Sequence, residues 1–328
     1  MCACEPSGDL YASFFVKTQL SGNKSIFGVG GENLKNVNVK LIYNYKDLQT
    51  FGFVSGMLST LRNFKMYQKI ARAIFKIQPE IFIAVAYPGI NLILCRYAKK
   101  LGIRVIYLLP PQIWAWGTFR KYFIKKWTDL IISIFPFECN FYKNRNINVI
   151  YWQNPLFEEL ERYKRRDFSQ CIGFMPGSRI PEIKRNTSVI IELIKNCKEL
   201  QNFKFIFILH PDVVSGKILD RLIAKELQNK VKIVIFDRYQ EMCNCDFIIT
   251  CSGTASLETM IMGIPQIFFN RPNFFDYHFF RHLLKIREYN LPNLYYGKTI
   301  VPSFVLRNKK KLVDLILSEF CRLSLKDG

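Results

Sequence analysis

The sequence predicts an α/β protein of two doubly wound, Rossmann-like domains, and three observations predict it. Short apolar runs alternate with longer amphipathic stretches along almost all of the 328 residues, which is the rhythm of βαβ units and parallel sheets. The length suits two domains of about 150 residues better than one core. A break at 154–166, where Asn154-Pro155 closes one block and a charged stretch precedes a fresh apolar run, places the joint.

Taken in order, only four residues precede Glu5-Pro6-Ser7-Gly8-Asp9. They leave room for a stub of strand, and a helix is expected over Leu10–Gln19. Strands are expected at Ser25–Val29, Ile81–Val85, Arg104–Leu108 and Asp129–Ser133, all rich in β-branched or aromatic residues. Between them, Leu61–Gln78 and Asn91–Lys100 carry apolar residues at helical spacing. Beyond the joint, strands at Cys171–Met175, Phe203–Ile208, Val231–Ile235 and Asp246–Thr250 alternate with helices at Arg185–Leu200 and Ile218–Gln228. The expected domains are therefore 1–160 and 161–306, with a C-terminal helix in 307–328.

Hydrophobic residues make up 49% and charged residues 22%, a balance that supports a sizeable core and excludes a disordered chain. The 47 Lys and Arg exceed the 26 Asp and Glu by 21. Residues 1–160 hold 20 basic and 9 acidic side chains, and the rest hold 27 and 17, so the excess is spread evenly. An anionic surface or substrate is implied. Ten cysteines occur, including the pairs Cys2-Ala3-Cys4 and Cys243-Asn244-Cys245. That spacing lacks the paired C-x-x-C knuckles of a zinc site and reads as reduced thiols, with no metal expected. No leader-like stretch opens the chain. The longest apolar run, Ile81 to Cys95, is broken by Pro88-Gly89 and is too short to span a bilayer.

Ligands of open parallel sheets bind at the carboxyl ends of strands, and the motifs here follow strands. Glu5–Asp9 precedes the first helix, where Ser7 and Asp9 serve equally well as plain capping residues. Gly28-Val29-Gly30-Gly31 is a tight turn. Ala86-Tyr87-Pro88-Gly89-Ile90-Asn91 and Leu109-Pro110-Pro111-Gln112-Ile113-Trp114-Ala115-Trp116 are loops in active-site positions. The two tryptophans suit either a core or a sugar or acyl face. Arg120, Lys121, Lys125 and Lys126, interleaved with Phe119, Tyr122, Phe123 and Trp127, suit a membrane interface or a solvated helix.

The second half carries the more specific signals. Met175-Pro176-Gly177-Ser178-Arg179 opens a helix with Glu182 in its first turn. Amide groups at a helix start, with a guanidinium, make a receptor for a diphosphate. Ser252-Gly253-Thr254-Ala255-Ser256-Leu257-Glu258 repeats the arrangement, and Glu258, one turn in, is placed to accept both ribose hydroxyls.

These residues resemble the lipid-A-disaccharide synthase family, inverting glycosyltransferases of the GT-B architecture. The matching stretches are Glu5–Leu10, Gly28–Gly31, Tyr87–Asn91, Pro111–Trp116, Phe135–Glu138 with Phe141-Tyr142, Asn154–Leu156, Pro176–Arg179 with Glu182, Ser252–Glu258 and Leu291–Asn293, in family order. The resemblance implies two Rossmann-like domains in a GT-B arrangement with a central cleft, the first on the acceptor and membrane side and the second binding UDP-sugar. It implies a reaction in which UDP-2,3-diacylglucosamine and 2,3-diacylglucosamine 1-phosphate give the β-1,6 lipid A disaccharide 1-phosphate and UDP. No cofactor or metal is implied, and the setting is the cytoplasmic face of the inner membrane. Nucleic acid is not an expected partner.

By motif match, Gly177, Ser178, Arg179, Glu182, Ser252, Gly253, Thr254 and Ala255 line the UDP-sugar loops, Glu258 and Asn293 hold the nucleotide, and Tyr239 or its neighbours lie near the uracil. Arg179 would stabilise the departing diphosphate. Glu5, Ser7, Asp9 and Asn91, with Gln112, Trp114 and Trp116, face the acceptor. The family usually places its general-base Asp where this chain has Ala86, so Glu5, Asp9 or a water are the candidate replacements. Cys4, Gln153 and Gly117 also depart from the usual pattern. The family's C-terminal tail crosses back and exchanges between subunits, which makes 307–328 a crossing helix and a homodimer a possible assembly. A UDP-binding homologue without turnover and a UDP-sugar 2-epimerase are the alternatives.

Overall fold

A computed structural model describes residues 1–20, 25–45, 57–114, 119–163, 169–177, 180–196, 203–209, 231–235, 237–273 and 290–324. The chain divides into two compact units, Met1–Pro155 and Leu156–Gly328.

The first unit is a seven-stranded parallel sheet in the order β3-β2-β1-β4-β5-β6-β7. Its strands are β1 (Cys2–Ala3), β2 (Phe27–Gly30), β3 (Lys40–Asn44), β4 (Ile81–Val85), β5 (Arg104–Leu108), β6 (Leu130–Ser133) and β7 (Val149–Tyr151). The helices described between them are α1 (Pro6–Gln19), α2 (Glu32–Lys35), α3 (Met57–Ile77), α4 (Pro88–Lys100), α5 (Arg120–Trp127) and α6 (Pro136–Lys143). Side chains alternate across the pleat. Phe82 and Ala84 of β4 join Val105 and Tyr107 of β5 under Met66, Ile70 and Ile74 of α3. Ile83, Val85 and Leu108 face the other way, onto Ala12, Phe15 and Val16 of α1. Both faces are covered, as a parallel sheet requires.

The second unit is a six-stranded parallel sheet, β10-β9-β8-β11-β12-β13. It comprises β8 (Cys171–Met175), β9 (Lys204–Ile208), β10 (Val231–Val234), β11 (Phe247–Thr250), β12 (Gln266–Asn270) and β13 (Ser303–Val305). Its described helices are α7 (Leu156–Glu161), α8 (Ile180–Asn196), α9 (Arg238–Cys243), α10 (Gly253–Ile261), α11 (Leu291–Tyr296) and α12 (Lys309–Ser324). The C-terminal helix α12 packs on the second sheet. Leu312, Val313, Ile316 and Phe320 of α12 are buried among Val189 and Leu193 of α8 and Phe247 and Ile267 of the sheet. An amphipathic helix settles on the apolar face nearest to it in sequence, and here that face belongs to the second sheet.

In each sheet the first strand is central and later strands wind outward on both sides. The order reverses between β1 and β4 in the first unit and between β8 and β11 in the second. Such switch points open a crevice at the strand ends, where ligands of doubly wound sheets bind. The expected helix at Ile218–Gln228 lies outside the described residues.

Candidate functional site

At the second switch point the two glycine-containing loops leave neighbouring strands. Thr250 of β11 pairs with Met175 of β8, and Cys251 donates its amide to the Met175 carbonyl at 2.9 Å. Pro176-Gly177 and Ser252-Gly253 therefore emerge side by side, leading to the N-termini of α8 and α10. Gly177 has φ +127°, and a Cβ there would meet the Glu182 carboxyl at 2.7 Å. Only glycine lets that carboxylate lie over the turn. Asn186, fully buried, donates to the Pro176 carbonyl at 2.9 Å and accepts from the Arg271 amide at 3.1 Å. It ties the β8 loop to the segment after β12. Ser252, Gly253 and Thr254 are half-exposed at the mouth, whereas Ala255 is buried. Ser178 and Arg179 lie outside the described residues.

Glu258, an acid in the second turn of α10, is only 1% exposed. Its Oε1 accepts from Arg238 Nη2 at 2.7 Å and from the Tyr239 hydroxyl at 3.1 Å, while Oε2 is buried and has no hydrogen-bond partner among the described residues. Arg238 Nη2 also donates to the Tyr239 oxygen at 2.6 Å, and its guanidinium lies 4.5 Å from that ring. Burial works against the guanidinium charge, but the Glu258 carboxylate and Tyr239 outweigh it and raise the Arg238 pKa. Burial, then the Glu258 charge, pushes the Tyr239 phenol well up. Tyr239 is thus a half-buried member of a polar cluster with Arg238 and Glu258. Arg238 was not singled out in the sequence; a basic residue in the loop following a strand of this sheet is the signal that points to it.

Asn293 is buried and bonded to the chain ahead of β13. Its Oδ1 accepts from the Ile300 and Val301 amides at 2.9 and 2.8 Å, and its Nδ2 donates to the Val301 carbonyl at 2.9 Å.

At the first switch point, β1 lies against β4 with Ala3 paired to Val85. Glu5 follows β1 as the N-cap of α1 and accepts from Ser7 Oγ at 3.3 Å. Opposite, Ala86 and Tyr87 adopt φ +47° and +38°. The Ala86 carbonyl accepts from the buried Tyr107 hydroxyl and from Asn91 Nδ2, both at 2.9 Å. Burial is the largest cause of the raised Tyr107 pKa, and the Glu5 charge adds to it. Glu5 and Ala86 therefore border the same strand ends.

Two of the expected acceptor residues are held by hydrogen bonds within the first domain. Asp9 is 1% exposed. Its Oδ1 accepts from the Gly31 amide at 2.6 Å and the Leu34 amide at 3.3 Å, and its Oδ2 accepts from Asn33 N at 3.0 Å and Asn33 Nδ2 at 2.9 Å. A carboxylate so engaged caps α2 and is not placed to take a proton from a substrate. Asn91, with zero exposure, turns its Nδ2 to the Cys2, Val85 and Ala86 carbonyls and so clamps β1 to β4. Gln112 is exposed. Trp114 donates its indole N–H to Glu138 Oε1 at 2.7 Å and packs edge-on against Phe137 at 4.8 Å. Glu138, 2% exposed, also accepts from Ser133 Oγ at 2.5 Å. Burial pushes its pKa up to about 7 against those two hydrogen bonds. Trp116 lies outside the described residues.

Two doubly wound parallel domains, with paired loops at each switch point, define a protein of the GT-B fold class. UDP-GlcNAc 2-epimerase from Neisseria meningitidis, solved with UDP-GlcNAc, has the same fold with a TM-score of 0.61 at 12% identity, covering 95% of this chain and 88% of that one. MurG from Acinetobacter baumannii gives 0.55 at 13% identity, covering 98% and 89%. The family description "Lipid-A-disaccharide synthetase" matches residues 1–320, and the chain belongs to that family. Lipid-A-disaccharide synthase 1 of Legionella pneumophila (strain Paris) is 32% identical over 321 residues, covering 92% of this chain and 82% of the relative. Lipid-A-disaccharide synthase of Geobacter metallireducens is 29% identical over 317 residues with the same coverage.

Proposed function

We propose that this glycosyltransferase transfers the sugar of UDP-2,3-diacylglucosamine to the 6-hydroxyl of 2,3-diacylglucosamine 1-phosphate, with the donor held at the β8–β11 switch point. Family membership across residues 1–320 supports the reaction. The observation that carries the donor site is the pair of loops on adjacent strands, each leading into a helix N-terminus. Both helix dipoles bring partial positive charge to where the diphosphate would lie. Arg179 adds a fixed charge by motif match, and that charge counters the negative charge developing on the leaving UDP.

Inversion requires a base to deprotonate the attacking hydroxyl from the side opposite UDP. Ala86 supplies none, and Asp9 is engaged in capping. Glu5 is the remaining candidate side chain: it follows the strand beside Ala86, is half-buried, and accepts a hydrogen bond from Ser7. Acceptor binding falls to the first domain, where Trp114 offers a half-buried ring anchored by Glu138.

Attachment to the cytoplasmic face of the inner membrane is part of the same reading. Among the described residues no helix is long and apolar enough to cross a membrane. Phe119 and Tyr122 are 68% and 63% exposed beside Arg120, Lys121, Lys125 and Lys126, a composition suited to an anionic interface.

The test is mass spectrometry of products from isotopically labelled donor and acceptor. Disaccharide 1-phosphate appearing in step with UDP supports the reading; UDP binding without product refutes it.

A further inference from the structure

Arg238 holds the one acid that the donor-site reading assigns to the nucleotide. Its Nη2 reaches both Glu258 Oε1 at 2.7 Å and the Tyr239 oxygen at 2.6 Å, and Tyr239 donates to the same Oε1 at 3.1 Å. One oxygen of the carboxylate is therefore anchored by a cation and a phenol. The other, Oε2, is buried and has no hydrogen-bond partner among the described residues, on a side chain only 1% exposed. Leaving a desolvated carboxylate oxygen unmatched is costly, and such a group persists where a ligand donor meets it in the working state. The ring of Tyr239 is itself braced, by the guanidinium on Arg238 and by Tyr163 at a centroid distance of 5.3 Å. The anchored edge is thus rigid.

We propose that Arg238 is a positioning residue for the nucleotide: it fixes Glu258 through Oε1 and leaves Oε2 as the single acceptor for a ribose hydroxyl. The proposal rests on the donor-site reading above. It also narrows the sequence expectation that Glu258 accepts through both oxygens, because Oε1 is already occupied. Arginine suits the task, since one nitrogen of its planar fork serves carboxylate and phenol together, whereas lysine offers a mobile point charge.

The full-length protein is titrated calorimetrically with UDP and with 2′,3′-dideoxy-UDP. The wild type is expected to bind UDP about tenfold to a hundredfold more tightly than the analogue, the worth of a hydrogen bond to a charged group. Arg238→Met is expected to lose most of that ratio by weakening UDP while leaving the analogue nearly unchanged. Arg238→Lys is expected to keep part of it. A general loosening of the domain would weaken both nucleotides alike and leave the ratio in place. Arg238→Met strands a buried carboxylate without its cation and so endangers folding. Combined with Glu258→Gln it removes both charges, and the pair is expected to fold with no ribose preference. A wild type that binds no UDP overturns this proposal together with the donor-site reading. A wild type that prefers UDP, with the preference intact in Arg238→Met or in the pair, overturns the proposal alone.

Discussion

Ala86 occupies a backbone position better suited to the acid that the family resemblance implies there than to alanine. At φ +47° it lies in the left-handed region, which Asp and Asn enter more readily than Ala does. Ala86→Asp is therefore expected to fold without loss of stability. Glu5→Gln is expected to lower kcat by roughly 10²–10⁴, the usual worth of a positioned base. Adding Ala86→Asp to Glu5→Gln restores turnover if the two positions serve one proton-transfer task; single-turnover rates with labelled donor would read this, and no recovery would place the base elsewhere. Glu138 gives a pH prediction of definite sign. Its folded pKa is raised from 4.5 to about 7 by burial. Below the lower value both folded and unfolded states hold the proton and nothing is lost. Above the upper value the folded state must bury a charge, so stability falls as pH rises between the two, by about 3 kcal/mol in all. Urea unfolding of wild type and Glu138→Gln at pH 5 and pH 8, followed by tryptophan fluorescence, should show a smaller pH difference in the variant.

Between elements, Asp9 unites two motifs that are separate in the sequence. A Cβ at Gly30 would come within 2.8 Å of Asp9 Oδ1, and one at Gly31 within 2.9 Å of Oδ2, so the glycines after β2 exist to let the α2 N-terminus close on that carboxylate. Asp9→Asn turns an amide toward amide donors and is expected to destabilise the first domain by about 1–3 kcal/mol, seen as a lower urea midpoint. The sequence shows both halves of this contact as chemistry-bearing motifs, because a carboxylate beside a glycine turn looks the same whether it binds a ligand or a helix end. Central strands were legible: Ile81–Val85, Arg104–Leu108 and Cys171–Met175 form where expected, since strands buried on both faces must be continuous apolar runs. The strands missed are β3, β7, β12 and β13. Three of these are the outer strands β3, β7 and β13, and β12 begins with Gln266, whose amide is bonded to Ser256; their pairing comes from a neighbour rather than from their own pattern. At the site, the loops were legible from glycine and small residues following strands. Arg238 was not, because its meaning comes from Glu258, 20 residues away in sequence.

Across the whole molecule, the charge excess and the exposed aromatic rings separate into two forces that salt can distinguish. The excess of 21 positive charges is nearly even between the halves, so attraction to an anionic bilayer is diffuse and long-ranged. Such attraction fades as the screening length contracts from about 10 Å at 0.1 M salt to about 3 Å at 1 M. Phe119 and Tyr122, on or beside α5, are more than half exposed, and burial of their rings in the interface is insensitive to screening. Vesicles containing anionic phospholipid are therefore expected to bind the wild type strongly at low salt and to keep a residual fraction at high salt. Phe119→Ser with Tyr122→Ser should preserve most low-salt binding and abolish the residue at 1 M. Lys121→Glu, Lys125→Glu and Lys126→Glu together should weaken low-salt binding instead. Sedimentation with sucrose-loaded vesicles distinguishes the two. Equal loss by both variants at every salt concentration would mean that α5 is not where the bilayer is met, since a diffuse charge and an inserted ring cannot share one salt dependence.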